Sequence, residues 1–70
     1  MRLAVLIDGD NVSAKTIGAV LAEIAKLGTA SVKRVYGDFT KPNFSSWKIA
    51  VPEHAIQPVQ QFANSVGKNA

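Results

Sequence analysis

Apolar residues follow two different periods along this chain. Leu3 to Ile7 is an unbroken apolar run of strand length. That is the pattern of a strand buried on both faces of a sheet. From residue 17 the spacing becomes helical: Ile17, Val20, Leu21, Ile24 and Leu27 form one apolar stripe. Ser13 fits the N-cap of that helix, and Gly28 fits its C′ position after Lys26 in the last turn. Gly18 falls inside the helix, weakens it slightly and allows close packing on a sheet. Residues 30–36, Ala-Ser-Val-Lys-Arg-Val-Tyr, carry the β-branched and aromatic content of a second strand. Pro42 fits the first turn of a second helix with Phe44, Trp47, Ile49 and Val51 as its apolar positions. Pro52 predicts that this helix ends or kinks near residue 51. Ile56 to Phe62 reads as a third strand, which Pro58 assigns to an edge or a bulge. Gly67 to Ala70 reads as a loop.

The predicted order is β-α-β-α-β. Strands and helices alternating at these lengths imply an α/β fold with a parallel sheet and right-handed crossovers. Seventy residues make at most one small domain. Three parallel strands with two helices leave open edges and a poorly covered face. The expectation is therefore that residues 1–70 are the N-terminal part of a single larger α/β domain. On its own, such a chain is expected to self-associate as a homo-oligomer or to be poorly stable.

Composition narrows the chemistry. There is no cysteine, hence no disulfide framework and no thiolate zinc site. His54 is the single histidine, so a multi-histidine metal site is excluded within this chain. The cysteine-free composition fits a reducing cytoplasm. Eight Lys and Arg against five Asp and Glu give a net charge of +3, compatible with a polyanionic partner. The first apolar segment is interrupted too soon by Asp8 to be a signal peptide, and no segment has the length of a membrane span.

The informative residues follow the first strand. Asp8, Gly9, Asp10 and Asn11 place two carboxylates and an amide within four positions of a strand's end. In open α/β sheets ligands bind just beyond the carboxyl ends of the strands. Oxygen ligands clustered there suit Mg²⁺ or Mn²⁺. Such an ion can activate water and neutralise charge on a phosphodiester. The competing roles are structural: Asp8 accepts hydrogen bonds from the turn, and Asp10 caps the helix. Asn11 fits either a substrate contact or an Asx turn. Lys15, in the first turn of the helix, opposes the macrodipole and makes sense beside an acidic site or a phosphate. Asp38 ends the second strand and is expected to face the same cleft as Asp8. Lys33 and Arg34 read as surface charges, and Phe44 and Trp47 as core residues rather than stacking platforms. Lys68 and Asn69 are candidate contacts to a substrate backbone.

The string Leu-Ile-Asp-Gly-Asp-Asn at 6–11 resembles the opening of the NYN domains, PIN-like ribonuclease relatives that include the LabA-like proteins. Val-Lys-Arg-Val-Tyr-Gly-Asp-Phe at 32–39 is similar to that family's second strand and its exit. Trp47, the segment Glu53-His54-Ala55-Ile56 and the final Gly67-Lys68-Asn69-Ala70 also fall in family order. The resemblance implies a PIN-like, Rossmann-like three-layer domain and Mg²⁺- or Mn²⁺-dependent cleavage of RNA, single-stranded RNA being the expected partner. It implies Asp8 as a direct metal ligand, with Asp10, Asn11 and Asp38 at or beside the site. Lys68 and Asn69 match the approach to a later acidic residue, which the family carries a few positions further on.

Three other readings compete. Asp8-Gly9-Asp10-Asn11-Val12 fits the Asp-x-Asp-x-Thr/Val pattern of haloacid-dehalogenase phosphatases, but a helix following directly leaves no room for that family's inserted flap. Gly9 with Ala14-Lys15-Thr16 approximates a phosphate loop whose second glycine is missing and whose carboxylates would repel phosphates. A non-catalytic RNA-binding or interaction module is the fourth reading.

Overall fold

The computed structural model describes residues 1–62. The elements are β1 (Arg2–Asp8), α1 (Ile17–Ala25), β2 (Thr29–Gly37), a 3₁₀ turn at Pro42–Phe44, α2 (Ser45–Glu53) and β3 (Gln57–Gln60). The strands form a parallel sheet in the order β1-β2-β3. The β-α-β-α-β reading of the sequence is therefore correct, and among the described residues β3, with Pro58, is an edge strand.

Strand order decides which face is covered. Both crossovers step in the same direction across the sheet, so right-handed connections put both helices on one side. Val5, Ile7, Val35 and Gly37 face those helices. Leu6, Val32, Tyr36 and Val59 face away, and Leu6 is 62% exposed. The expectation that β1 is buried on both faces is thus corrected: among the described residues only one face is covered. A bulge lies between the Leu3–Ala30 and Ala4–Val32 pairs, with Ser31 as the extra residue. It resets the alternation of β2, so that Ser31 and Val32 are both exposed and Val35 reaches the core.

The core joins Ile7 and Val35 of the sheet to Ile17 of α1, to Phe44, Trp47 and Ala50, and to Ile56 at the entry to β3. Phe39 meets Phe44 edge to face, with centroids 5.1 Å apart. The apolar stripe predicted for α1 is only partly used. Ile17 is buried, Leu21 and Ile24 are half-buried, and Val20 and Leu27 are exposed. Ile49, predicted as an apolar contact of α2, is 70% exposed.

Helix ends also differ from expectation. The N-cap of α1 is Thr16, not Ser13, because residues 13–16 form a separate turn: Ser13 Oγ accepts the Lys15 N–H and Ser13 O accepts the Thr16 N–H. Gly28 does not adopt a left-handed conformation; its neighbour in space is the Met1 carbonyl, which a Cβ would strike. Helix α2 passes through Pro52 and stops two residues beyond the predicted point. Pro52 is exposed, where water can replace the bond it cannot donate.

A Schellman arrangement closes α2. The Ile56 N–H donates to Val51 O (2.9 Å) and the Ala55 N–H to Pro52 O (3.4 Å). Lys33 Nζ, on the covered face of β2, donates to the His54 carbonyl at 2.7 Å and places a cation at the helix's negative end. Lys33 is therefore a helix-end partner rather than a free surface charge. The motif requires a left-handed residue, and Ala55 supplies it at φ 53°. An L side chain is strained there. Ala55→Gly is expected to raise unfolding stability by about 0.5–1 kcal/mol in urea titrations.

Candidate active site

The loop leaving β1 is built on Asp8. Its carbonyl accepts the N–H groups of Asn11 (3.1 Å) and Val12 (2.9 Å), which turns the chain away from the sheet. Its carboxylate is held at both oxygens: Oδ1 accepts the Asp10 N–H at 3.1 Å, and Oδ2 accepts the Asn11 amide at 2.6 Å. Each oxygen keeps a further lone pair, and Asp8 is exposed. The turn-forming role and an exposed, oriented carboxylate therefore coexist in one residue. Asn11 serves as the group that orients Asp8.

Asp10 does not cap α1, whose first turn begins six residues later at Thr16. Its exposed carboxylate makes no hydrogen bond or ion pair among the described residues. Asp8 and Asp10 line one cleft of about 450 Å³ together with Leu6, Ile7, Tyr36 and Gln61. Strand register accounts for Tyr36, which pairs directly with Asp8.

The loop is fastened from below. The Gly9 N–H donates to Tyr36 O at 2.9 Å, and the buried Trp47 indole N–H donates to Gly9 O at 3.3 Å. Gly9 must be small: a Cβ would lie 2.8 Å from the Phe44 ring and 2.9 Å from Tyr36 O. Phe44 and Trp47, read as core residues in the sequence, are core, and the core they form is the floor of the site.

Asp38 follows a different course. It is buried, and its Oδ1 accepts the Thr40 N–H (3.0 Å), the Thr40 hydroxyl and the Gln60 amide (2.8 Å). Gln60 in turn accepts the Phe39 N–H. Asp38 thus ties the exit of β2 to the edge strand. It does not line the cleft with Asp8 and Asp10, and no three metal-capable Asp, Glu, His or Cys side chains gather among the described residues. Lys15 is exposed in the turn before α1 rather than in its first turn. Lys68 and Asn69 lie outside the described residues.

Sequence reasoning did not single out Tyr36, Gln61, Asn43 or Ser46 as neighbours of the loop. Strand pairing supplies Tyr36 and also Gln61, whose N–H donates to Gly37 O just beyond β3, whereas Asn43 and Ser46 reach the loop through tertiary packing.

Fold and site define a parallel α/β domain with an oxygen-rich, acidic loop at the carboxyl end of its first strand. The sequence matches the NYN domain family over residues 2–70, and the chain belongs to that family. NYN domains are PIN-like domains of the nuclease and RNA-binding class, which does not favour the phosphatase reading. No curated protein and no solved structure matches the chain.

Proposed function

We propose that this domain cleaves single-stranded RNA with Mg²⁺ or Mn²⁺ held at Asp8 and Asp10. The observation that carries the reading is a pair of exposed carboxylates on one strand-end loop, one oriented from two sides and the other without an internal role. The donor set fits the metal. All candidate ligands are hard oxygens, and Mg²⁺ commonly takes one or two carboxylates, keeps several waters and accepts substrate phosphate oxygens. When bound, the ion neutralises phosphate charge and lowers the pKa of a coordinated water.

The chain's own residues do the positioning. Asn11 and the Asp10 N–H fix the Asp8 carboxylate so that it need not reorganise when a cation and a phosphate arrive. The bonds from Trp47 and Gly9 hold the loop on the sheet. Asp38 and Gln60 keep the exit of β2 in place beside it. Asp38 is best read as a supporting residue of the site's wall. Lys15 and Asn11 stand where a polyanion would approach, and Lys68 and Asn69 are proposed to contact its backbone.

The test is cleavage of a labelled, unstructured oligoribonucleotide by the full chain, with divalent metal and with the metal removed by EDTA. Cleavage with Mg²⁺ or Mn²⁺ that stops in EDTA is expected. Salt-sensitive binding without cleavage would replace the enzyme by an RNA-binding module.

A further inference from the structure

A second cleft, of about 290 Å³, adjoins the acidic one on the helix side of the loop. Residues 9–15 form one wall, and Asn43, Ser46 and Trp47 form the other. Gly9 to Lys15 comes from the β1–α1 connection, whereas Asn43 and Ser46 come from the 3₁₀ turn and the start of α2. Asp10 lines both clefts, so they adjoin at that residue.

The lining specifies a ligand type. Lys15 contributes an ammonium that has no acidic partner among the described residues, where the ion pairs are Lys26–Glu23 and His54–Glu53. The side chains of Asn43 and Ser46 are exposed and make no hydrogen bond among the described residues. The first turn of α2 contains no acidic residue, so its dipole adds positive potential on the same wall. Trp47 is 2% exposed with its N–H committed to Gly9 O, so it offers no ring on which a base could stack. An ammonium, an amide and a hydroxyl around a polar cleft suit a phosphodiester rather than a nucleobase. Asp10 carries the opposing charge at the shared rim, so the cleft's affinity for an anion turns on Lys15.

We propose that this cleft holds the RNA phosphodiester adjacent to the one presented to Asp8 and Asp10, with Lys15 pairing its charge and Asn43 and Ser46 donating hydrogen bonds. The inference rests on the ribonuclease reading and adds a backbone subsite to it. The subsite reads phosphate, not sequence, and crossing from it over Asp10 carries the strand into the acidic cleft.

The experiment is fluorescence-anisotropy titration of the full chain with single-stranded oligouridylate in EDTA, over a series of salt concentrations. Lys15→Gln is expected to weaken binding about three- to tenfold and to flatten the slope of log K against log salt by about 0.7, the loss of one phosphate contact on a single strand. Lys15→Arg should retain the slope. Asn43→Asp, which puts a carboxylate in the cleft, should weaken binding at least as much as Lys15→Gln. Lys26→Gln removes the same charge at the far end of α1 and should leave the slope within a few tenths of the parent value. An unchanged slope in Lys15→Gln, or equal loss in Lys26→Gln, would overturn the subsite while leaving the ribonuclease reading in place. A parent chain that binds no RNA in EDTA would overturn the subsite, and cleavage with Mg²⁺ or Mn²⁺ decides the ribonuclease reading separately. The expected slope change alongside undiminished cleavage by Asp8→Asn would keep the subsite and remove the catalytic assignment.

Discussion

Asp8→Asn is expected to reduce metal-dependent RNA cleavage by about 10³-fold or more while leaving the fold intact. The substitution is nearly isosteric. An asparagine carbonyl can still accept the Asp10 N–H that now bonds Oδ1 at 3.1 Å, so the turn keeps one of its two side-chain anchors. What it removes is the charge that would hold a divalent ion. Metal-ion stabilisation of a phosphoryl transition state amounts to several kcal/mol, and about 4 kcal/mol corresponds to about 10³ in rate. Single-turnover cleavage compares the two chains, with thermal melts to establish that both are folded. A folded Asp8→Asn chain that cleaves within a few-fold of the parent would remove Asp8 from the chemistry.

Gly37→Ala is expected to unfold the domain. A Cβ at residue 37 would strike Cζ of the Phe44 ring, which is fully buried in the core. Phe44 is flanked by Gly9 on the site loop and by Phe39, edge to face at 5.1 Å. Overpacking of a well-filled core costs about 1–3 kcal/mol and occasionally more, and this clash involves a rigid ring rather than a flexible side-chain end. A core in a chain this short rarely supplies more than about 3–5 kcal/mol of net stability. Far-ultraviolet circular dichroism and urea titration should show loss of the cooperative transition at 25 °C. A variant that melts within about 1 kcal/mol of the parent would mean that Phe44 can shift, and that the floor beneath Asp8 is softer than its packing indicates. The two substitutions separate the site's chemistry from its support, since one alters charge without volume and the other volume without charge.

Much of this was legible in the residues, and the remainder was not for identifiable reasons. The apolar run ending at Asp8 marks β1 and where it ends, because an apolar run of strand length and the acidic turn after it are both local features. Pro58 locates the edge strand, since a residue without an N–H is unsuited to a central ladder. The exposure of Leu6 was not legible. It depends on strand order, which places both crossovers on one side and cannot be read from an apolar run alone. The bulge at Ser31 was hidden for a related reason: it changes the phase of β2 without changing its composition. Ser13 looked like a helix cap because a turn-capping serine and a helix-capping serine share the same local chemistry, and the turn won. Asp38 was read into the acidic cleft from its position after β2. The structure commits its Oδ1 to a local turn at Thr40 and to Gln60, and only the pairing of β2 with β3 brings Gln60 within reach. Asn43 and Ser46 had no sequence signal at all, because their place beside Lys15 is a product of packing between α2 and the β1–α1 loop.

Calorimetric titration of Mn²⁺ into the full chain tests most directly whether Asp8 and Asp10 hold a divalent ion. Saturable Mn²⁺ binding that disappears in Asp8→Asn is the predicted result. No binding by the parent, or equal binding by both chains, would contradict it.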